Sequence, residues 1–166
     1  DDRQRRKLIN LDPLDPAMPI STPDDFATEL AEGGRFYTQG FPEDTDAISD
    51  GLFDEDEFLA QAALAAGEIR RQYERLLADF DDGLLFNYFG FLDQVSHIMW
   101  GATDPEHPAY DEARDAPYAN VIEGLYMEAD EIVGETLDRL EELGGSGTLI
   151  VMSDHGFTSW RRSFSL

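Results

Sequence analysis

Two short apolar runs, Leu84–Phe91 and Thr148–Met152, constrain the fold more than anything else in this chain. Each follows a glycine, is too short for a typical helix and carries apolar residues on both faces, the pattern of a buried parallel strand. Between them lies a long helical pattern over about 118–143. Its stripe is Val121 or Ile122, Leu125, Ala129, Ile132 or Val133, Leu137 and Leu140, and Gly144-Gly145 stops it. Strands joined by a helical crossover run parallel, with a right-handed connection. The expected fold is therefore α/β, a three-layer sandwich with a mostly parallel sheet.

A further helix is expected ahead of the first run. Asp54 and Glu57 have the spacing of a capping box, and Phe58, Ala62, Ala65, Ile69, Tyr73, Leu76 and Phe80 share one face. Asp81-Asp82-Gly83 ends it. Upstream, Pro13, Pro16, Pro19 and Pro23 make residues 1–24 an extended lead-in, because proline removes an amide donor and restricts its predecessor. Asp24 or Asp25 caps a short helix through about Glu32, ended by Gly33-Gly34. Residues 25–166 form the partial α/β domain. Two parallel strands are too few for a core, so the chain is expected to be a piece of a larger protein.

Charge restricts the partners. Thirty-six acidic residues against twelve basic ones give a net charge of -24. No basic stripe is left to form a nucleic-acid groove or to hold an anionic membrane surface. There is no cysteine, which excludes disulfides and thiolate metal sites. No apolar run reaches the roughly 18 residues of a membrane span. Asp1–Lys7 leads into no long apolar segment, so a secretory signal is not expected. The chain reads as soluble, with its compartment and oligomeric state open.

Loops at the carboxyl ends of parallel strands share one crevice. The first run is followed by Asp93-Gln-Val-Ser-His97, the second by Asp154-His155-Gly156, so each delivers one Asp and one His to one edge. Carboxylate and neutral imidazole are ligands for zinc, manganese or iron. An Asp and a His four apart can turn to one ion if the chain coils there. Asp154 and His155 are adjacent and reach one ion only on an irregular turn, which Gly156 permits. Alone, an Asp-x-x-x-His pair is more often a helix cap or surface pair, and Asp-His-Gly an ordinary turn; their position after two strands favours metal. His107 is a candidate for lining a substrate pocket, against the plainer reading of a solvated loop histidine. Trp100 and Phe157 flank the motifs, where packing is favoured over stacking on a substrate ring. Ser153-Asp154-His155 cannot form a relay, since neighbours on a strand point to opposite faces.

Phe91-Leu-Asp93-Gln-Val-Ser-His97-Ile-Met-Trp100, taken with Val151-Met-Ser-Asp154-His155-Gly156-Phe157, resembles the type I phosphodiesterase and nucleotide pyrophosphatase branch of the alkaline phosphatase superfamily. The resemblance runs from about residue 58 to Leu166. Ser96 departs from it, because that branch often has glycine there. It implies a metal-dependent hydrolase of phosphodiester or pyrophosphate bonds in small phosphoester substrates. Two divalent ions, usually zinc, are implied: Asp93 and His97 on one, Asp154 and His155 on the other. The family's Ser or Thr nucleophile and its further Asp and His cannot be assigned here, so the chain by itself is expected to be inactive. A sulfatase, a phosphomonoesterase and a phosphoglycerate mutase of the same superfamily share the metal site and remain alternatives, as does a non-catalytic remnant that binds metal or a partner.

Overall fold

The computed structural model describes residues 13–16, 18–32 and 43–162. The chain forms two compact units, Asp1–Phe41 and Pro42–Leu166. In the first, α1 spans Phe26–Ala31, close to the short helix expected from sequence. Asp25 stands at its N-cap position without a side-chain bond there. The Ser21 hydroxyl accepts from the Ala27 amide at 2.9 Å, and the Thr28 hydroxyl donates to the Pro13 carbonyl at 2.9 Å. The first twelve residues of the lead-in and the Gly33-Gly34 stop lie outside the described residues.

The second unit is built on helices. α2 is Thr45–Ser49, α3 Glu55–Asp79, α4 Phe91–Met99, α5 Glu112–Asp115 and α6 Val121–Glu142. The capping box of α3 is formed: Asp54 accepts from the Glu57 amide at 2.8 Å, and Glu57 from the Asp54 amide at 3.1 Å. Its last turn has no basic residue. Arg139 of α6 supplies one, donating to the carbonyls of Leu77, Ala78 and Phe80 at 3.2, 3.1 and 2.9 Å. Those acceptors have no partner inside the helix, so a cation there stabilises the end. At the end of α6, Gly144 and Gly145 both take positive φ, 93° and 70°, which favours glycine.

α4 packs against both long helices. Phe58 and Ala62 of α3, Val95 and Met99 of α4 and Ile122 of α6 form one core; Ala66, Tyr73, Leu77, Phe91 and Ile132 form a second beside it. A buried bond crosses that second core. Tyr73 Oη and Thr136 Oγ1 are 2.5 Å apart, and Thr136 donates on to the Ile132 carbonyl at 2.6 Å. Leu77 rather than Leu76 is buried, and Leu137 faces out, so the expected stripes are right in period and off in detail at these places.

The expected three-layer sandwich with a parallel sheet is not what the structure has. No strand occurs among the described residues. Leu84 to Phe89 forms no element and pairs with no strand, and Phe91, expected to close a strand, opens α4 with Gly90 as its N-cap. The run keeps a period-two alternation. Leu85 and Phe89 pack on the second core, while Leu84 is 92% exposed and Phe86 and Tyr88 also face solvent. Thr148 to Met152 likewise forms no element and pairs with no strand among the described residues, with Ile150, Val151 and Met152 exposed. A strand is defined by hydrogen bonds to a neighbouring strand. The first run found helices for one face, and neither run has a ladder for its backbone among the described residues.

Candidate metal centre

The two motifs meet although their segments are not strands. Asp93 lies in the first turn of α4 and His97 in its last. A spacing of four sets both on one helix face. Phe91, Val95 and Met99 hold the opposite face in the cores, which fixes the direction in which the pair points. Asp93 also gains from the partial positive charge of the helix N-terminus. Ser96, beside His97, is 1% exposed. A side chain much larger than serine there would have to displace core atoms, which accounts for the small residue.

His155 arrives from the segment after α6. The Asp93 Oδ1 atom is 3.3 Å from His97 Nε2 and 3.4 Å from His155 Nε2. All three atoms lie within 4.8 Å of one another. Asp93 Oδ2 accepts from Gln94 Nε2 at 3.0 Å, whereas Oδ1 is buried and has no hydrogen-bond partner. His155 Nδ1 lies 3.1 Å from the Gly156 carbonyl oxygen. A carbonyl only accepts, so in a neutral ring that bond places the proton on Nδ1 and leaves Nε2 with its lone pair on the side of Asp93. A carboxylate oxygen and a neutral imidazole nitrogen facing each other are two acceptors, a contact that a proton or a metal ion between them satisfies. The spacing suits a metal ion: tetrahedral ligand atoms about 2.0–2.1 Å from zinc lie roughly 3.3–3.4 Å apart. The donor set, one carboxylate and two imidazoles, also fits zinc, manganese or iron.

Asp154 is the outlying member of the four residues singled out from sequence. Its Oδ2 lies 4.0 Å from His155 Nε2, but its side chain is 83% exposed, and Oδ1 accepts from the His155 amide at 3.0 Å. The structure thus groups His155 with Asp93 and His97 rather than dividing the four into two separate pairs. His107 stands apart from this group. Its Nδ1 accepts from the Ala109 amide at 3.3 Å, and its ring lies against Gly101. Trp100 and Phe157 stack on each other, 5.4 Å between centroids, and Phe157 meets the edges of both His97 and His155 at 4.9 and 5.4 Å. These aromatics wall one side of the site.

Two neighbours escaped the sequence reading. Burial and the negative charges of Asp93, Asp154 and Glu43 raise the Tyr88 phenol above its ordinary value, which sets Tyr88 at the margin of the acidic site. Glu43 is buried with Oε1 unpartnered. Tyr88 was visible as the outward member of the alternating run five residues before Asp93; Glu43 carried no signal.

Residues 16–166 match the family described as Type I phosphodiesterase / nucleotide pyrophosphatase. No curated protein and no solved structure matches the chain. No helix among the described residues is long and apolar enough to cross a membrane. With nearly its whole length covered and its two acid–imidazole motifs brought together, the chain belongs to the Type I phosphodiesterase / nucleotide pyrophosphatase family.

Proposed function

We propose that Asp93, His97 and His155 hold a divalent metal ion, zinc by donor chemistry, in an enzyme that hydrolyses phosphodiester or pyrophosphate bonds of small substrates. The observation that carries this reading is the buried Asp93 Oδ1 with no hydrogen bond and two imidazole Nε2 atoms 3.3 and 3.4 Å away. A bound divalent ion would supply positive charge to the oxygens of a phosphoryl group undergoing displacement. The chain's own residues shape the site that would hold the ion. Gln94 holds one carboxylate oxygen so that the other faces the imidazoles. The Gly156 carbonyl fixes the tautomer and ring direction of His155. Trp100 and Phe157 keep water off one side of the histidines, which strengthens electrostatic interactions within the site. Asp154 supplies a further carboxylate at the rim and is the candidate donor for a second ion.

The test is a screen of the full-length protein against aryl phosphodiesters, phosphomonoesters and sulfate esters, with and without chelator. Chelator-sensitive hydrolysis favouring the diester supports the proposal. Preference for a monoester or a sulfate would move the reaction within the superfamily. Metal binding with no turnover of any ester would leave a non-catalytic metal-binding protein.

A further inference from the structure

We infer that Arg161 is a positioning residue for the metal centre: by clamping onto Asp104 and Glu106 it holds the 153–162 segment on α4, and so keeps His155 at Asp93. The inference rests on the reading of Asp93, His97 and His155 as a cation site. His155 has no regular structure around it. The hydrogen bonds of Ser153, Asp154 and His155 stay within the segment: Ser153 Oγ to the His155 carbonyl, the His155 amide to Asp154, and His155 Nδ1 to Gly156. None of them ties the segment to α4, which presents Asp93. Further along, the ties are long in range. Phe157 stacks on Trp100, and Trp100 Nε1 donates to Ser159 Oγ at 3.3 Å. Ser159 and Arg161 together hold the Asp104 carboxyl below its ordinary pKa.

Arg161 closes the series. Its Nε and Nη2 reach the Asp104 carboxylate at 3.0–3.1 Å in a two-pronged bond, and Nη1 reaches Glu106 at 2.5 Å. Asp104 directly follows the 3-10 turn Trp100–Thr103 that continues α4. The side chain of Asp104 is largely enclosed, at 14% exposure, so its pairing is worth more than a fully solvated ion pair. The planar fork of arginine fits a carboxylate in two places at once, whereas lysine offers a single point of charge. The helix that carries Asp93 and His97 thus extends into the anchor that receives the segment carrying His155.

The experiment reads both geometry and affinity in Arg161→Ala, Arg161→Lys, His155→Ala and the double variant Arg161→Ala with His155→Ala. In the metal-free protein, ring-proton NOEs between His97 and Phe157 report whether the segment is seated. We expect them in the wild type, lost in Arg161→Ala and partly restored in Arg161→Lys. Cobalt(II) affinity, read from its visible absorption, should fall about fivefold in Arg161→Ala, below the loss typical of a residue that bonds a ligand directly. It should fall no further when Arg161→Ala is added to His155→Ala. A general loss of stability would lower affinity equally in both backgrounds and overturn the proposal, as would unchanged NOEs and affinity in Arg161→Ala. Cobalt binding insensitive to Asp93→Asn would sink the cation site itself, and the NOE comparison would still decide the clamp.

Discussion

The helical scaffold and the two irregular segments of this chain solve the same physical problem with different success. Both are apolar, and both must satisfy their backbones. α3, α4 and α6 pair their amide and carbonyl groups internally and spend their apolar faces on each other, so Phe58 at their centre is 0% exposed. The segments Leu84 to Phe89 and Thr148 to Met152 form no regular element, with no ladder among the described residues and several large apolar side chains in solvent. The helices therefore carry the stability, and the candidate metal group draws on both kinds of structure. Asp93 and His97 stand on the first kind of structure, His155 on the second.

That contrast can be broken at several points. Phe58→Ala should cost about 3–5 kcal/mol in denaturant unfolding, because it empties the contact of α3, α4 and α6. A loss below about 1 kcal/mol would show that this core does not hold the scaffold. Tyr73→Phe, which removes the buried bond to Thr136 between α3 and α6, should cost about 1 kcal/mol.

The Tyr118 hydroxyl donates to Asp56 at 2.9 Å, and this bond lifts its pKa from 10.0 to about 12. A raised folded pKa means that the contribution is intact below about pH 10 and is lost as pH rises through about 12. The stability difference between wild type and Tyr118→Phe should be constant at neutral pH and vanish at the top of that range; a difference growing with pH would contradict the assignment. The smallest effect belongs to the irregular region. Leu84→Ser, at a side chain that contacts little, should change stability by less than about 0.5 kcal/mol, and a larger loss would mean that the run is covered in solution.

The same contrast explains what the sequence could disclose. Helix periodicity is self-contained, so α3 with its Asp54–Glu57 box and α6 with its glycine stop were legible within a few residues. A strand depends on what lies beside it, and an apolar run such as Leu84 to Phe91 says nothing about whether a partner is present. The expected sheet failed on that point. α4 was missed because its nine residues follow the apolar run without a polar cap, although Phe91, Val95 and Met99 recur at helical spacing. Asp93, His97, Asp154 and His155 were named from their motifs and from their place after two expected strands, which do not form among the described residues. That His155 and not Asp154 stands against Asp93 depends on the turn after Met152, which the sequence leaves open. Arg161 lies more than 50 residues from Asp104 and Glu106, and the three gave no local sign of pairing.

The central claim, that Asp93, His97 and His155 share one cation, is tested most directly by titrating zinc into the protein and its single variants by calorimetry. The account predicts one site whose affinity falls at least tenfold in each of Asp93→Asn, His97→Ala and His155→Ala, with a smaller loss in Asp154→Ala, since removing a direct ligand costs more than removing a rim carboxylate. Zinc binding that is equal in wild type and all three variants, or none in the wild type, would contradict it.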